Sequence, residues 1–238
     1  MEAYRFLEFI EKKRGRQIPF IKKLIHRPEE LSKEDLIING NLNLKGEQVQ
    51  ELPKGLVVKG DLILDRMGDI KLPEGLKVGG ELSLAYSGIK ELPRGLEVGR
   101  LRLTRTDIYT LPEDLKVETS FLLNNTSIRK FPKVLHIKGS LLLYESAIQE
   151  LPEGLTVDGD LNLGWTQIAR LPDNLTVGGS LNMWGSKLKE VPNGLKVGKT
   201  FIIRDTPLRR AFLYSGIGEE RAKEIIEEKG GKVKMISF

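Results

Sequence analysis

The chain of 238 residues contains no cysteine and only two histidines, His26 and His136. Without a thiol it cannot form disulfides, thiolate zinc sites or a cysteine nucleophile. The two histidines are far apart and belong to no HxxxH or HxH motif, so they do not predict a metal site. We therefore expect neither a metal ion nor an organic cofactor.

Long apolar runs are missing as well. No stretch approaches the roughly 18 apolar residues of a membrane span. The first twenty residues, MEAYRFLEFIEKKRGRQIPF, mix acids and bases among the apolar positions, unlike the uninterrupted apolar segment of a secretory signal. We expect a soluble, cytoplasmic protein that does not act at a membrane. The net charge of +5 is spread along the chain and is weak support for a nucleic-acid partner.

What the sequence does contain is a repeat of twenty residues. LPEGLTVDGDLNLGWTQIAR, residues 151–170, is followed directly by LPDNLTVGGSLNMWGSKLKE, residues 171–190. Nine such rows cover residues 32–210, and the fourth row lacks one residue near Gly99 and Arg100. The rows begin at Ser32, Leu52, Leu72, Leu92, Leu111, Phe131, Leu151, Leu171 and Val191.

The apolar positions are the same in every row. Counting the first residue of a row as position 0, position 4 is always leucine, and positions 6, 10 and 12 are apolar. This alternation has a period of two and predicts extended chain. One row cannot bury its own apolar face, but stacked rows can. The repeat therefore predicts a mainly β fold, a right-handed β-solenoid of nine repeats of about 20 residues with helical caps at both ends.

The segment LNLGWTQIARLPDNL resembles the leucine-rich-repeat pattern LxLxxNxL followed by LPxxL. It is most similar to the short Leu-Pro-containing repeats of bacterial and phage proteins, and the resemblance covers all nine rows. It implies a repeat surface that binds a partner protein, located in the host cytoplasm if the chain is phage-encoded. A phage structural or assembly role is an alternative. Some related secreted bacterial effectors carry a ubiquitin-ligase domain with a catalytic cysteine, an activity that this cysteine-free chain cannot have.

Two features of the rows depart from that family. Upstream, VxGxLxL replaces LxxLxL, so both a horseshoe and a flatter β-solenoid stay open. The family's asparagine position carries Ser or Thr, and a short hydroxyl there can hydrogen-bond to the backbone of a turn. These residues are Ser87, Thr106, Thr126, Ser146, Thr166, Ser186 and Thr206.

The segments outside the rows are expected to cap the solenoid. Residues 1–31 form an N-terminal helical cap, residues 32–210 the solenoid, and residues 211–238 a C-terminal cap. Ala3, Phe6, Leu7 and Ile10 have the spacing of one helix face. The C-terminal cap is predicted as a helix from Glu219 to Lys229 followed by a terminal strand.

SGIGEERAKEII, residues 215–226, is similar to the second half of a helix-hairpin-helix, whose GxG amides and helix N-terminus contact a DNA phosphate. This resemblance supports an alternative function, the binding of DNA, RNA or another polyanion. The acidic residues of the same segment would repel phosphate, and its apolar residues would otherwise close the core. Candidate residues for this alternative are Arg100, Lys12, Lys13, Arg14, Arg16, Gly216 and Gly218.

The leading hypothesis places a protein-binding site on the outward strand positions. Tyr144, Trp165 and Trp184 fall in three successive rows and could form one aromatic patch. Aromatic and arginine side chains are enriched at protein interfaces. In the alternative interpretation each ring only covers the backbone of its neighbour. The candidate protein-binding residues are Tyr86, Tyr144, Trp165, Trp184, Arg102, Arg105 and Arg204.

Catalysis has little support in the sequence. The chain contains no GxxxxGK[ST], GxSxG or HExxH motif. The carboxylates Asp61, Glu81 and Asp160 recur at position 9 of their rows, which solvent exposure explains better than paired acid–base chemistry. We therefore expect that the protein is not an enzyme.

Overall fold

A computed structural model describes residues 20–131 and 136–238. In these residues the rows stack into a parallel β-solenoid of about eight turns, as the repeat predicts. Each row contributes two short stretches of strand, at positions 5–6 and 10–11, which pair with their counterparts in neighbouring rows. Among the described residues, the one step without such a pairing is from Lys116–Val117 to His136–Ile137. The solenoid therefore has two columns of parallel strands, which we call the first and second columns.

Most strands are two residues long and belong to one column. The first column contains β1 (Ile37–Ile38), β3 (Val57–Val58), β7 (Lys116–Val117), β9 (His136–Ile137), β11 (Thr156–Val157) and β13 (Thr176–Val177). The second column contains β2 (Leu42–Asn43), β4 (Leu62–Ile63), β8 (Phe121–Leu122), β10 (Leu141–Leu142), β12 (Leu161–Asn162) and β14 (Leu181–Asn182). Three longer strands run through both columns: β5 (Lys77–Ser83), β6 (Glu97–Arg102) and β15 (Lys196–Ile202).

The strand register follows the sequence repeat. Leu161 pairs with Leu181, an offset of twenty residues. Between β5 and β6 the register shifts: Lys77 pairs with Glu97, an offset of twenty, but Glu81 pairs with Arg100, an offset of nineteen. The residue missing from the fourth row is therefore absorbed in the bend between the two columns, and both columns continue past it.

Glycine at position 8 allows the bend to stack closely. A Cβ placed on Gly159 would lie 2.7 Å from the carbonyl carbon and oxygen of Gly139, one row earlier. The first row is different, because a Cβ on Gly40 would meet nothing within 4 Å. Glycine thus allows close stacking of the bend in most rows, whereas Thr119 and Lys199 occupy the same position in two others.

Polar side chains at position 9 also link the rows. Asp61 Oδ1 accepts a hydrogen bond of 2.8 Å from the backbone N–H of Glu81, twenty residues later. Asp160 Oδ1 accepts one of 2.7 Å from Ser180. These carboxylates recur because they bind the next row, which adds a structural role to the solvent exposure inferred from the sequence.

The core is formed by the repeated apolar columns. The position-4 leucines Leu56, Leu76, Leu96, Leu155, Leu175 and Leu195 are all buried. Ile70 arrives one residue late in its row but is still buried, so the chain adjusts locally to keep it inside. One apolar cluster extends from Leu24 near the start of the described chain to Ile236 near its end.

Helices flank the solenoid at both ends. The N-terminal side has α1 (Phe20–His26) and a 3-10 turn at Pro28–Glu30, whereas the helix predicted from Ala3 to Ile10 lies outside the described residues. The C-terminal side has α2 (Pro207–Tyr214) and α3 (Glu219–Glu228), the latter ending one residue before the predicted end. The final strand, β16 (Lys232–Ser237), pairs in parallel with β15 and extends both columns by one more layer.

Candidate functional site

Positions 13 and 14 of the rows form a continuous ridge along the solenoid, directly after the second column. We call this surface the ridge. At position 14 the backbone N–H donates to the carbonyl at position 13 of the next row, as from Trp165 to Trp184 at 2.8 Å. The position-14 residues are Gly46, Arg66, Tyr86, Arg105, Asn125, Glu145, Trp165, Gly185 and Asp205.

All nine position-14 residues have positive φ, between +54° and +81°. Position 15 closes the turn, because its N–H donates to the carbonyl at position 12, as from Ser87 to Leu84 at 3.2 Å. A four-residue turn with positive φ at its third residue is of type II and favours glycine or asparagine there. Five rows place a larger residue in this conformation, with neither the small size of glycine nor the tolerance of asparagine. These residues are Arg66, Tyr86, Arg105, Glu145 and Trp165.

Buried hydroxyls hold five of these turns in place, out of the seven in the Ser/Thr column that the sequence predicts. Thr166 Oγ1 donates to the carbonyl of Leu163 at 2.7 Å, and Thr206 Oγ1 donates to that of Ile203 at 2.6 Å. Ser87, Thr106 and Thr126 form the same bond. The surrounding hydrogen bonds therefore determine the backbone of the ridge and impose positive φ on whatever residue stands at position 14.

A bulky side chain with positive φ costs about 1–2 kcal/mol relative to glycine. Tyr86 and Trp165 bear this cost although each ring is about half exposed, at 48% and 49%. Burial in the core therefore does not explain why these aromatic residues stand there. Residues held in unfavourable backbone conformations are frequent at functional sites, which makes the ridge the leading candidate surface.

The two tryptophans contact one another on the ridge. The ring centroids of Trp165 and Trp184 are 6.3 Å apart with an interplanar angle of 57°, a favourable tilted geometry. Trp184 Nε1 donates to Asp205 Oδ2 at 2.7 Å, and the Arg204 guanidinium lies 5.5 Å from the Trp184 ring centroid. Trp184 is thereby fixed in orientation while 38% of it stays exposed. We call Trp165 and Trp184 the tryptophan pair.

Two rings rest against glycines of the next row. A Cβ on Gly185 would lie 2.8 Å from the Trp165 ring, and one on Gly164 would lie 3.1 Å from Cδ2 of Tyr144. Both rings therefore cover neighbouring backbone, as the alternative interpretation proposed, but about half of Trp165 stays exposed. Burial raises the pKa of the Tyr144 hydroxyl, and the adjacent Glu145 carboxylate adds to the rise.

Tyr86 belongs to a second group, nearer the N-terminus. Its ring lies between two guanidinium groups from the rows on either side, with Arg66 Cζ at 5.4 Å and Arg105 Cζ at 5.6 Å from the ring centroid. Both distances are within the range of cation–π attraction. We call Arg66, Tyr86 and Arg105 the tyrosine–arginine cluster.

Other candidate residues lie apart from these two groups. Arg102 and Arg100 are on β6, where both face the carboxylate of Glu81 at 3.8 and 3.5 Å. Gly216 and Gly218 precede α3, whose first turn carries Glu219 and Glu220. Lys12, Lys13, Arg14 and Arg16 lie outside the described residues.

The sequence reasoning missed Arg66, which completes the tyrosine–arginine cluster, and the role of Gly185 and Asp205 beside the tryptophan pair. A signal was present in the sequence. Position 14 contains two glycines, an asparagine and an aspartate, the residues that tolerate positive φ most readily. That composition would have identified the turn. It would also have identified the rows in which a larger residue replaces one that tolerates positive φ.

Across residues 20–131 and 136–238, no group of three or more His, Asp or Glu side chains is placed to hold a metal ion. Within the same ranges, no helix is both long and apolar enough to span a bilayer. Comparison with protein-family models and with curated proteins finds no match to this chain.

Proposed function

We propose that this protein is a non-enzymatic repeat scaffold that binds a partner protein through the ridge. We also propose that it belongs with the short bacterial or phage leucine-rich repeats that its sequence resembles. The single observation that carries the binding proposal is Trp165: a large, half-exposed ring on a backbone with φ of +57°. A partner that buries this ring would supply a reason for its presence.

Three further features support a binding role. Trp184 is held by a hydrogen bond and a cation–π contact, and its ring contacts that of Trp165, so little side-chain entropy would be lost on binding. The ridge backbone is fixed by a ladder of inter-row hydrogen bonds. Asp61 and Asp160 bond to the backbone of the next row, which assigns a structural role to carboxylates that could otherwise suggest acid–base chemistry.

The proposal is tested by capture from a lysate of the source organism with three tagged proteins. These are the wild type, the double variant Trp165→Asn with Trp184→Asn, and the control Tyr109→Asn. Tyr109 is 61% exposed but stands outside positions 13 and 14, so its replacement removes an exposed ring away from the ridge.

We expect the wild type and Tyr109→Asn to retain the same partner and the double variant to lose it. Far-UV circular dichroism and thermal unfolding establish that the double variant is folded. Equal capture by all three folded proteins would refute the proposal.

A further inference from the structure

The two groups on the ridge differ in chemistry, and this difference indicates what kind of segment binds there. The tyrosine–arginine cluster carries two positive charges around a phenol, whereas the tryptophan pair is apolar and aromatic. The cluster occupies position 14 and the pair positions 14 and 13, so both lie on one line along the solenoid. A ligand that follows the ridge would meet first one group and then the other.

The charges of Arg66 and Arg105 are available to a ligand. In the part of the chain that the structure describes, neither guanidinium has a carboxylate within salt-bridge distance, in contrast to Arg100 and Arg102, which share Glu81. The nearby Asp65 accepts hydrogen bonds from Ser83 Oγ and from the Ala85 N–H. A guanidinium stacked on a ring keeps its in-plane N–H groups for a carboxylate.

The spacing of the two groups follows from the stacking. Tyr86 and Trp165 occupy position 14 of rows that are four steps apart. At about 4.8 Å per step their backbones are separated by roughly 19 Å. An extended peptide advances about 3.3 Å per residue, so about six residues span this distance.

The charges on the remainder of the ridge disfavour a polyanion. Position 14 carries Glu145 two rows after Arg105, and Asp205 lies beside Trp184, where Arg204 offsets part of its charge. A nucleic acid along the ridge would bring its regularly spaced phosphates close to both carboxylates, within about one Debye length. A ligand with negative charge only near Arg66 and Arg105 avoids this repulsion.

We propose that the ridge binds an extended segment of a partner protein that carries an acidic side chain and, about six residues away, an aromatic or large apolar side chain. The acidic side chain binds Arg66 and Arg105 beside Tyr86, and the apolar side chain packs on Trp165 and Trp184. This inference rests on the proposed function, since it specifies the partner that the same ridge recognises.

The test uses the full-length protein as bait for a phage-displayed library of random linear peptides of about twelve residues. Enriched peptides are synthesised with a fluorescent label, and their dissociation constants are measured by fluorescence polarisation at about 50 and about 200 mM NaCl. The baits are the wild type, Arg66→Gln with Arg105→Gln, and Trp165→Asn with Trp184→Asn. The charge control, Arg94→Gln with Arg129→Gln, removes two exposed arginines outside the ridge.

We expect enriched peptides to share an Asp or Glu about six residues from a Trp, Phe, Tyr or Leu. Their affinity should fall about tenfold in the Arg66/Arg105 variant and at the higher salt concentration, and should not change in the Arg94/Arg129 control. Enriched peptides without an acidic residue, or with unchanged affinity for the Arg66/Arg105 variant, would overturn the inference.

The outcomes separate this inference from the proposed function. Peptides that depend on Trp165 and Trp184 but not on the two arginines overturn the acidic anchor and leave the protein-binding ridge standing. If the wild type enriches only peptides that the Trp165/Trp184 variant also binds, both the acidic-segment inference and the proposed function are overturned. Binding of an oligo(dT) probe that is lost in the Arg66/Arg105 variant would assign the cluster to nucleic acid and overturn the acidic-peptide inference.

Discussion

The indole of Trp165 lies over the backbone of Gly185, its counterpart at position 14 of the next row. A Cβ on Gly185 would be 2.8 Å from ring atoms Cδ2 and Cε2, closer than a carbon contact allows. The absence of a side chain in one row therefore permits the ring of the preceding row to lie flat on the ridge. The aromatic surface thus depends on a glycine that contributes no contact area of its own.

Gly185→Ala should displace the Trp165 ring. We expect a loss of about 1–2 kcal/mol of unfolding free energy beyond that of Gly46→Ala, measured by urea denaturation. Gly46 is the matched control because it has the same row position and a positive φ of +81°, but a Cβ placed on it would meet nothing within 4 Å. The near-UV circular dichroism of the tryptophans should change in Gly185→Ala alone. Equal losses of stability in the two variants would contradict the contact.

The backbone conformation at Trp165 predicts an unusual order of stability. Trp165→Asn should be more stable than Trp165→Ala by about 0.5–1 kcal/mol, because both remove the ring but asparagine tolerates positive φ. At Trp184, which lies at position 13 and outside the residues of positive φ, asparagine should have no such advantage over alanine. Thermal and urea unfolding of the four variants test this. An equal Asn–Ala difference at the two positions would refute the backbone explanation.

The close stacking of the bend predicts that a single methyl group at Gly159 is costly. Gly159→Ala would bring a Cβ to 2.7 Å from the Gly139 carbonyl, and we expect about 2 kcal/mol of destabilisation. Gly40→Ala, at the same position of the first row, should change stability by less than about 0.5 kcal/mol because no atom lies within 4 Å. Urea denaturation measures both. A neutral Gly159→Ala would show that the rows separate more easily than the geometry implies.

The side chain of Glu97 joins three rows and predicts an acid-sensitive contribution to stability. Hydrogen bonds and charge from Lys116 and Lys77, at 2.8 and 2.9 Å, lower the pKa of Glu97 from 4.5 to about 2. Because the pKa is lower in the folded protein, the stabilisation is fully present above about pH 4.5 and is lost as the pH falls towards 2. Glu97 is partly exposed, so the effect should be small and should decrease with added salt.

Glu97→Gln should therefore flatten the fall in stability between about pH 4.5 and 2. The measurement is the urea midpoint at several pH values in that window, compared with wild type. Glu118→Gln, which removes a carboxylate from the next row outside this pair of salt bridges, should leave the wild-type pH dependence in place. An unchanged acid dependence in Glu97→Gln would refute the assignment.

The architecture could be predicted from the sequence because its cause is repeated nine times. Leu76, Leu96 and Leu155 recur at one position of the row, and each is buried. A side chain that must face the core in every row leaves the same mark in every row, so the strand register and the row length follow directly. Even the residue missing near Gly99 and Arg100 corresponds to the register shift between β5 and β6.

The ridge could be predicted only in part, because its chemistry differs from row to row. The exposure of Trp184 at position 13 follows from the alternation of the strands, whereas that of Trp165 and Tyr86 at position 14 depends on the turn. Their partners do not, because contacts across rows depend on rotamers and on turn backbone. Thus Arg102, a candidate binding residue, faces Glu81, whereas Arg66, which was not a candidate, lies 5.4 Å from the Tyr86 ring centroid. Side-chain pairing of this kind is decided in three dimensions and leaves no periodic signal.

The inter-row ladder of the ridge has a consequence for how the molecule can change. Each row is held by its neighbours, and the tyrosine–arginine cluster and the tryptophan pair lie in different rows, so their separation is a whole number of repeat units. Duplication or deletion of one unit between them would change the separation by about 4.8 Å and leave both groups intact. Copy number, rather than point mutation, is the simplest genetic route by which such a protein could adapt to a longer or shorter ligand.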